Sequence, residues 1–169
     1  MASRRVLSAK GEIMEPSWKN LKVFTVEARP NGLWNLVADY VTGSRLLRFR
    51  CLTQDAQGNT VPDKWNPGAN VLCGADGVWI TPARTGLLSG GALYGALIGK
   101  IGGSSADVPD TSSQASPYAG KRVFAVGSHC VISLGATEGG PLFLTMNDTP
   151  EGFANHGGAL VVLVEECGT

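Results

Sequence analysis

Leu142-Phe143-Leu144-Thr145-Met146-Asn147-Asp148-Thr149-Pro150-Glu151-Gly152-Phe153-Ala154-Asn155-His156-Gly157-Gly158-Ala159-Leu160-Val161-Val162-Leu163-Val164-Glu165 is the stretch whose reading decides the fold. Two apolar runs of strand length, Leu142–Asn147 and Ala159–Glu165, flank a cluster of Asn, Asp, Pro and Gly. Those four residue types populate turns for conformational reasons, through positive φ, a fixed φ, or side chains that bond their own backbone. In the second run Leu160, Val162 and Val164 point one way, while Ala159, Val161 and Leu163 point the other. Apolar residues on both sides predict a strand covered on both faces, near the centre of the assembly.

Similar segments recur upstream. Leu21–Arg29 alternates, with Val23, Thr25 and Glu27 on one side and Phe24, Val26 and Ala28 on the other. Pro30-Asn31-Gly32 supplies a turn. Leu33–Val41 and Arg45–Leu52 follow, the latter with Leu47, Phe49 and Cys51 on one face and Arg48 and Arg50 opposite, a pattern expected of a solvated sheet face. Tyr94–Ile101 reads as a strand whose glycines at 95 and 99 admit close approach of a neighbour. Arg122–Val126 and His129–Leu134 complete the set, with one or two short strands around Val78-Trp79-Ile80. Period-two segments joined by turn clusters predict an all-β antiparallel sandwich or barrel. No composition break divides the chain, so one domain over residues 21–169 with an amino-terminal extension over 1–20 is expected. Residues 54–70 and 102–120 read as long loops, candidates for functional surface.

Composition bounds the function. The 169 residues carry 14 basic and 14 acidic side chains, and only 17% are charged. A polyanion-binding protein that works by counterion release is therefore disfavoured, and no nucleic acid is expected as a partner. Gly and Pro make up about a fifth of the chain beside 43% hydrophobic residues, the composition of a turn-rich folded domain. The longest wholly apolar run, Ala159–Val164, falls far short of the roughly 18 residues a membrane span needs. The amino terminus lacks the apolar core of a secretory signal, so a cytoplasmic location, or export without a cleaved leader, is expected. Cys51, Cys73, Cys130 and Cys167 form no Cys-x-x-Cys pair and are expected to be reduced thiols.

Enzyme templates fail. Gly95–Ile101 superficially suggests a phosphate loop, but three residues instead of four separate its glycines and Ile101 stands where Ser or Thr should bind magnesium. No Gly-x-Ser-x-Gly elbow occurs. His129 and His156 are too few for a His-rich catalytic metal site, and no coherent acid, base or nucleophile set is visible. A non-catalytic protein is expected. By contrast, the Asn147–His156 turn concentrates oxygen donors. A calcium ion takes 6–8 of them, and Asp148 offers a carboxylate, Asn155 an amide oxygen and the Glu151-Gly152 turn a backbone carbonyl. An ordinary Asx-Pro turn accounts for the same residues.

The segment from Gly140 through Asn155 to Val162 resembles the calcium-dependent galactose-binding bacterial lectins of the LecA (PA-IL) type. Gly95-Ala96-Leu97-Ile98-Gly99-Lys100-Ile101-Gly102 is similar to that family's Gly-Ala-Leu-x-x-Lys-Ile-Gly strand, and a weaker match runs over Phe24–Cys51. The recognisable portions cover about half the chain. The resemblance implies a jelly-roll β-sandwich of galactose-binding-domain-like type with one Ca2+ at its rim. It implies metal ligands from Asp148, the Gly152 carbonyl, Asn155, His156 and a backbone carbonyl near Ala56 or Gln57. Carbohydrate contacts are implied from Asp148, Thr149 and Asn155. Trp65 is a further candidate, for stacking on a pyranose face, and a packing anchor for the long loop is the alternative reading.

Two departures stand out. His156 occupies the place of the family's second Asn, and an imidazole nitrogen is softer than calcium favours. The stretch Ile80–Gly86 holds neither the His nor the Gln with which the family contacts sugar. The expectation is a calcium-dependent carbohydrate-binding protein that recognises a galactoside-like glycan and, as single sites of this kind bind weakly, works as a homo-oligomer. The alternative is a structural or interaction module that kept the sandwich and lost metal and sugar.

Overall fold

The computed structural model describes residues 6–7, 13–14, 17–68, 71–80, 84–106 and 122–168. The chain runs β1 (Val6–Leu7), β2 (Ile13–Met14), β3 (Lys19–Glu27), β4 (Asn35–Val41), β5 (Arg45–Leu52), β6 (Asp63–Asn66), β7 (Asp76–Val78), β8 (Tyr94–Ile101), β9 (Arg122–Ala125), β10 (His129–Leu134), β11 (Gly140–Met146), a 3-10 turn of helix at Pro150–Asn155, and β12 (Gly157–Gly168). β1 and β2 form a two-stranded ladder within the segment read as an extension. The other strands make two five-stranded antiparallel sheets, the β-sandwich that the alternation predicts. One sheet has the order β10-β5-β12-β3, with β6 also on β12. The other has the order β4-β11-β8-β7, with β9 also on β8.

The inner faces meet in one apolar core. Val26, Leu47, Phe49, Leu160, Val162 and Val164 come from the first sheet, and Val37, Leu97, Ile101, Leu142, Leu144 and Met146 from the second. β12 pairs with three strands and is buried along both its faces, as its double-sided apolar pattern predicts. On the outer face of the first sheet Arg48 and Arg50 converge on Glu165 at 2.7 and 3.1 Å, so this pair forms a built ion cluster instead of a freely solvated stripe.

Three local features bear on the site. Residues 63–66, expected within a loop, form β6, which pairs with β12 and places Trp65 in the core. Gly95 and Gly99 on β8 are places of close approach: an added Cβ would lie 2.8 Å from the Cys73 Sγ and 2.5 Å from the Phe124 ring. Lys100 is buried with its ammonium 4.8 Å from the Trp34 ring and 4.6 Å from the Phe143 ring, so the Gly-Ala-Leu strand does not present it to a phosphate. The four cysteines are free thiols, and burial, helped by the Asp76 charge, pushes the Cys51 thiol up to about 12. Most of the second predicted long loop, residues 107–121, lies outside the described residues.

Candidate functional site at the sandwich rim

β11 belongs to one sheet and β12 to the other, so the turn between them crosses the rim of the sandwich. Asn147 and Asp148, the first two residues past β11, are both fully buried, and each organises a different piece of chain. The Asn147 amide donates to the carbonyls of Ser89, Ala92 and Leu93, and its Oδ1 accepts from the Ser89 N–H at 2.9 Å. Its main chain adds bonds with Gly95 and Ala96. A side chain with both donor and acceptor is what this folded-back loop requires, and Asn147 leaves no polar atom unpaired there.

Asp148 organises the other side. Its Oδ1 accepts from the Thr149 N–H and from Arg84 Nη1, both at 2.6 Å, and its Oδ2 lies 2.9 Å from His156 Nε2. His156 Nδ1 is 3.1 Å from the Ala28 carbonyl at the end of β3, which ties the turn to the first sheet. Each ring nitrogen of His156 therefore faces an oxygen acceptor, the Ala28 carbonyl on one side and the Asp148 carboxylate on the other. Phe153 stacks on the imidazole at 4.6 Å and enters a satellite core with Trp34, Leu88, Ile98 and Phe143. Burial pushes the Asp148 carboxyl up, but the bonds from His156, Thr149 and Arg84 outweigh it and hold the group below the usual carboxylate range. The same carboxylate raises Arg84, and burial together with the Asp148 charge raises the Tyr94 phenol.

Arg84 is the outward-facing member. Its side chain is 42% exposed, its guanidinium lies 4.6 Å from the Tyr94 ring centroid, and the Tyr94 hydroxyl donates to the Pro67 carbonyl. Arg84 also lines a groove of about 230 Å³ with Val78, Trp79, Leu87, Leu93 and Tyr94. Trp79 is 76% exposed, an unusual position for so large an apolar ring. The groove and the buried Asp148 are thus linked through Arg84, with Tyr94 beside it.

The residues expected at a calcium site are distributed unevenly. Asp148, Gly152 and His156 come together: an added Cβ on Gly152 would stand 2.2 Å from Asp148 Oδ2, so the turn closes directly over the carboxylate. Thr149 is half-buried and contributes its N–H, while Asn155 is exposed at the end of the 3-10 turn. Gln57 sits at an exposed turn folded around Asp55, which accepts from the N–H groups of Gln57 and Asn59, and it is not among the partners of Asp148. Trp65 corrects the sequence reading. It is wholly buried with Nε1 donating to the Gly95 carbonyl at 2.8 Å, so its face is closed to a sugar.

This donor set does not fit a calcium ion. Both Asp148 oxygens face N–H groups, and the other carboxylate of the turn, Glu151, is exposed. Among the described residues no group of three or more His, Cys, Asp or Glu side chains gathers in metal-binding proximity. Sequence reasoning missed Arg84 and Asn147. The signal for Arg84 was a lone cation in a Gly- and Pro-rich stretch.

The fold is an antiparallel β-sandwich of two five-stranded sheets, and one solved structure shares it. The EclA N-terminal domain, described as a PllA-like lectin, superposes with a TM-score of 0.54 at 14% identity, covering 87% of this chain and 97% of that one. No protein-family model and no curated protein matches the sequence.

Proposed function

We propose that the chain is a non-catalytic carbohydrate-binding module whose ligand lies in the groove between Trp79 and Arg84. One observation carries this reading: a highly exposed indole stands in the same groove as a half-exposed guanidinium that is anchored from behind by a buried carboxylate. A pyranose has an apolar face that suits an aromatic ring and a rim of hydroxyls that accept from N–H donors. A guanidinium has five such donors, and Asp148 is held by Nη1 alone, which leaves the others for ligand. Anchoring by Asp148 and stacking on Tyr94 fix the guanidinium before ligand arrives, which lowers the ordering cost of binding.

The LecA-type resemblance points to a galactoside-like glycan, and the lectin-like fold supports sugar recognition as the general class. A shallow single site of this kind binds weakly, so a homo-oligomer that presents several sites is the form expected to act on a glycan surface.

A glycan array tests the reading. Wild-type protein should bind a defined subset of glycans, and Trp79→Ala should lose that binding while keeping its melting temperature. A folded protein that binds no glycan would favour the alternative, an interaction module that uses the apolar residues Trp79 and Leu93 for a protein partner.

A further inference from the structure

We infer that the Arg84 guanidinium is the resident cation of this rim turn, held where the sequence resemblance calls for a calcium ion. The geometry of the turn argues this independently of what the groove binds.

A fully buried carboxylate needs positive charge or several N–H donors, because burial alone strongly disfavours its ionised form. In a metal-dependent turn the ion supplies that charge. Here Arg84 reaches Asp148 Oδ1 at 2.6 Å from outside, the Thr149 N–H meets the same oxygen at 2.6 Å, and His156 closes Oδ2 at 2.9 Å from inside. Neither oxygen is left free for a metal. Gly152 packs so closely that a single added carbon would overlap Oδ2, which leaves no space on that side of the carboxylate. Asn155, which the resemblance assigns to the ion, is exposed at the end of the 3-10 turn.

The departures in sequence now form one set. An imidazole replaces the second Asn and an arginine stands in the stretch that lacks the family's sugar-contacting pair. Each places an N–H donor on Asp148. Arg84 also stacks on Tyr94, so its position is determined by more than charge.

The test needs no sugar. The full chain is melted in chelator and in millimolar calcium, and terbium luminescence is recorded as a second probe of an ion site near Tyr94. The expected result is superimposable melts and no sensitised terbium emission. An ion present at 100 times its dissociation constant would raise the melting temperature by roughly 5–10 °C, and such a rise would overturn the inference.

Arg84→Met, which keeps the apolar shaft over Tyr94, should melt lower by roughly 1–4 °C, and Arg84→Lys should recover part of that loss. A methionine variant as stable as wild type would overturn the inference. So would a lysine variant that recovers nothing, because the loss would then come from packing and not from charge. Failure of every glycan on an array would reject the carbohydrate reading and leave this result standing.

Discussion

Removing the Asp148 carboxylate is the perturbation whose cost the structure lets us work out. In Asp148→Ala three donors lose their acceptor. The His156 contact is buried on both sides, and a hydrogen bond to a charged group is worth about 1.5–3 kcal/mol. The Thr149 N–H adds about 1 kcal/mol. Arg84 is half-exposed and can turn to water, so its arm is discounted to about 0.5–1 kcal/mol. The sum, about 3–5 kcal/mol, agrees with the usual cost of breaking one side of a buried pair. For a domain of this size that corresponds to a fall in melting temperature of roughly 6–20 °C.

Asp148→Asn separates charge from connectivity. Its amide oxygen can still accept from Thr149 and Arg84. Its NH2 can donate to His156 Nε2 once the ring keeps only the Nδ1 proton that faces Ala28. The expected loss is about 1–2 kcal/mol. Thermal and urea unfolding in chelator measure both variants. If the alanine variant melts within about 2 °C of wild type, or the asparagine variant falls as far as alanine, the hydrogen-bond assignment at this turn is wrong.

Three further outcomes follow from the same geometry. Gly152→Ala places a carbon 2.2 Å from Asp148 Oδ2, and the held carboxylate cannot yield, so unfolding in denaturant should show a loss of about 1–3 kcal/mol. Asn147→Asp turns the donor aimed at Ser89, Ala92 and Leu93 into an acceptor against three carbonyls; a loss of several kcal/mol and faster amide exchange over residues 88–95 are expected, against no change in exchange if the loop is held otherwise. The Glu165 carboxyl is held below the usual carboxylate range, first by its hydrogen bonds from Arg48. Its contribution is therefore complete above the ordinary carboxylate pKa and disappears as pH falls through the lower folded value. Melting temperature should drop from about pH 5 to pH 3 in wild type, and the drop should be shallower in Glu165→Gln.

How much of this was legible in the sequence depends on the scale of the feature. Strands with uninterrupted apolar character were readable almost to the residue: β8 and β10 match their expected limits, and the double-sided pattern of Ala159–Glu165 located the centre of its sheet. β6 was not readable, since four residues in a stretch rich in Asp, Asn and Pro give too short a period. Its Trp65, read either as a sugar-stacking ring or as a packing anchor for the loop, is buried in the core.

At the site, Asp148 and Gly152 could be singled out because a turn between two strong strands must bring its own residues together, and His156 because the family resemblance places it beside them. Arg84 lies 64 positions upstream, and only the pairing of β8 with β11 carries its segment to Asp148. Residue types listed the oxygen atoms that the turn carries. They could not say whether those atoms face a metal or N–H groups, because both uses call for the same carboxylate.

The most direct test of the whole account is the affinity of wild-type protein for its best array glycan, measured by calorimetry once in chelator and once in millimolar calcium. The account predicts the same dissociation constant in both, with binding lost in Trp79→Ala. Binding that vanishes in chelator and returns with calcium would contradict it.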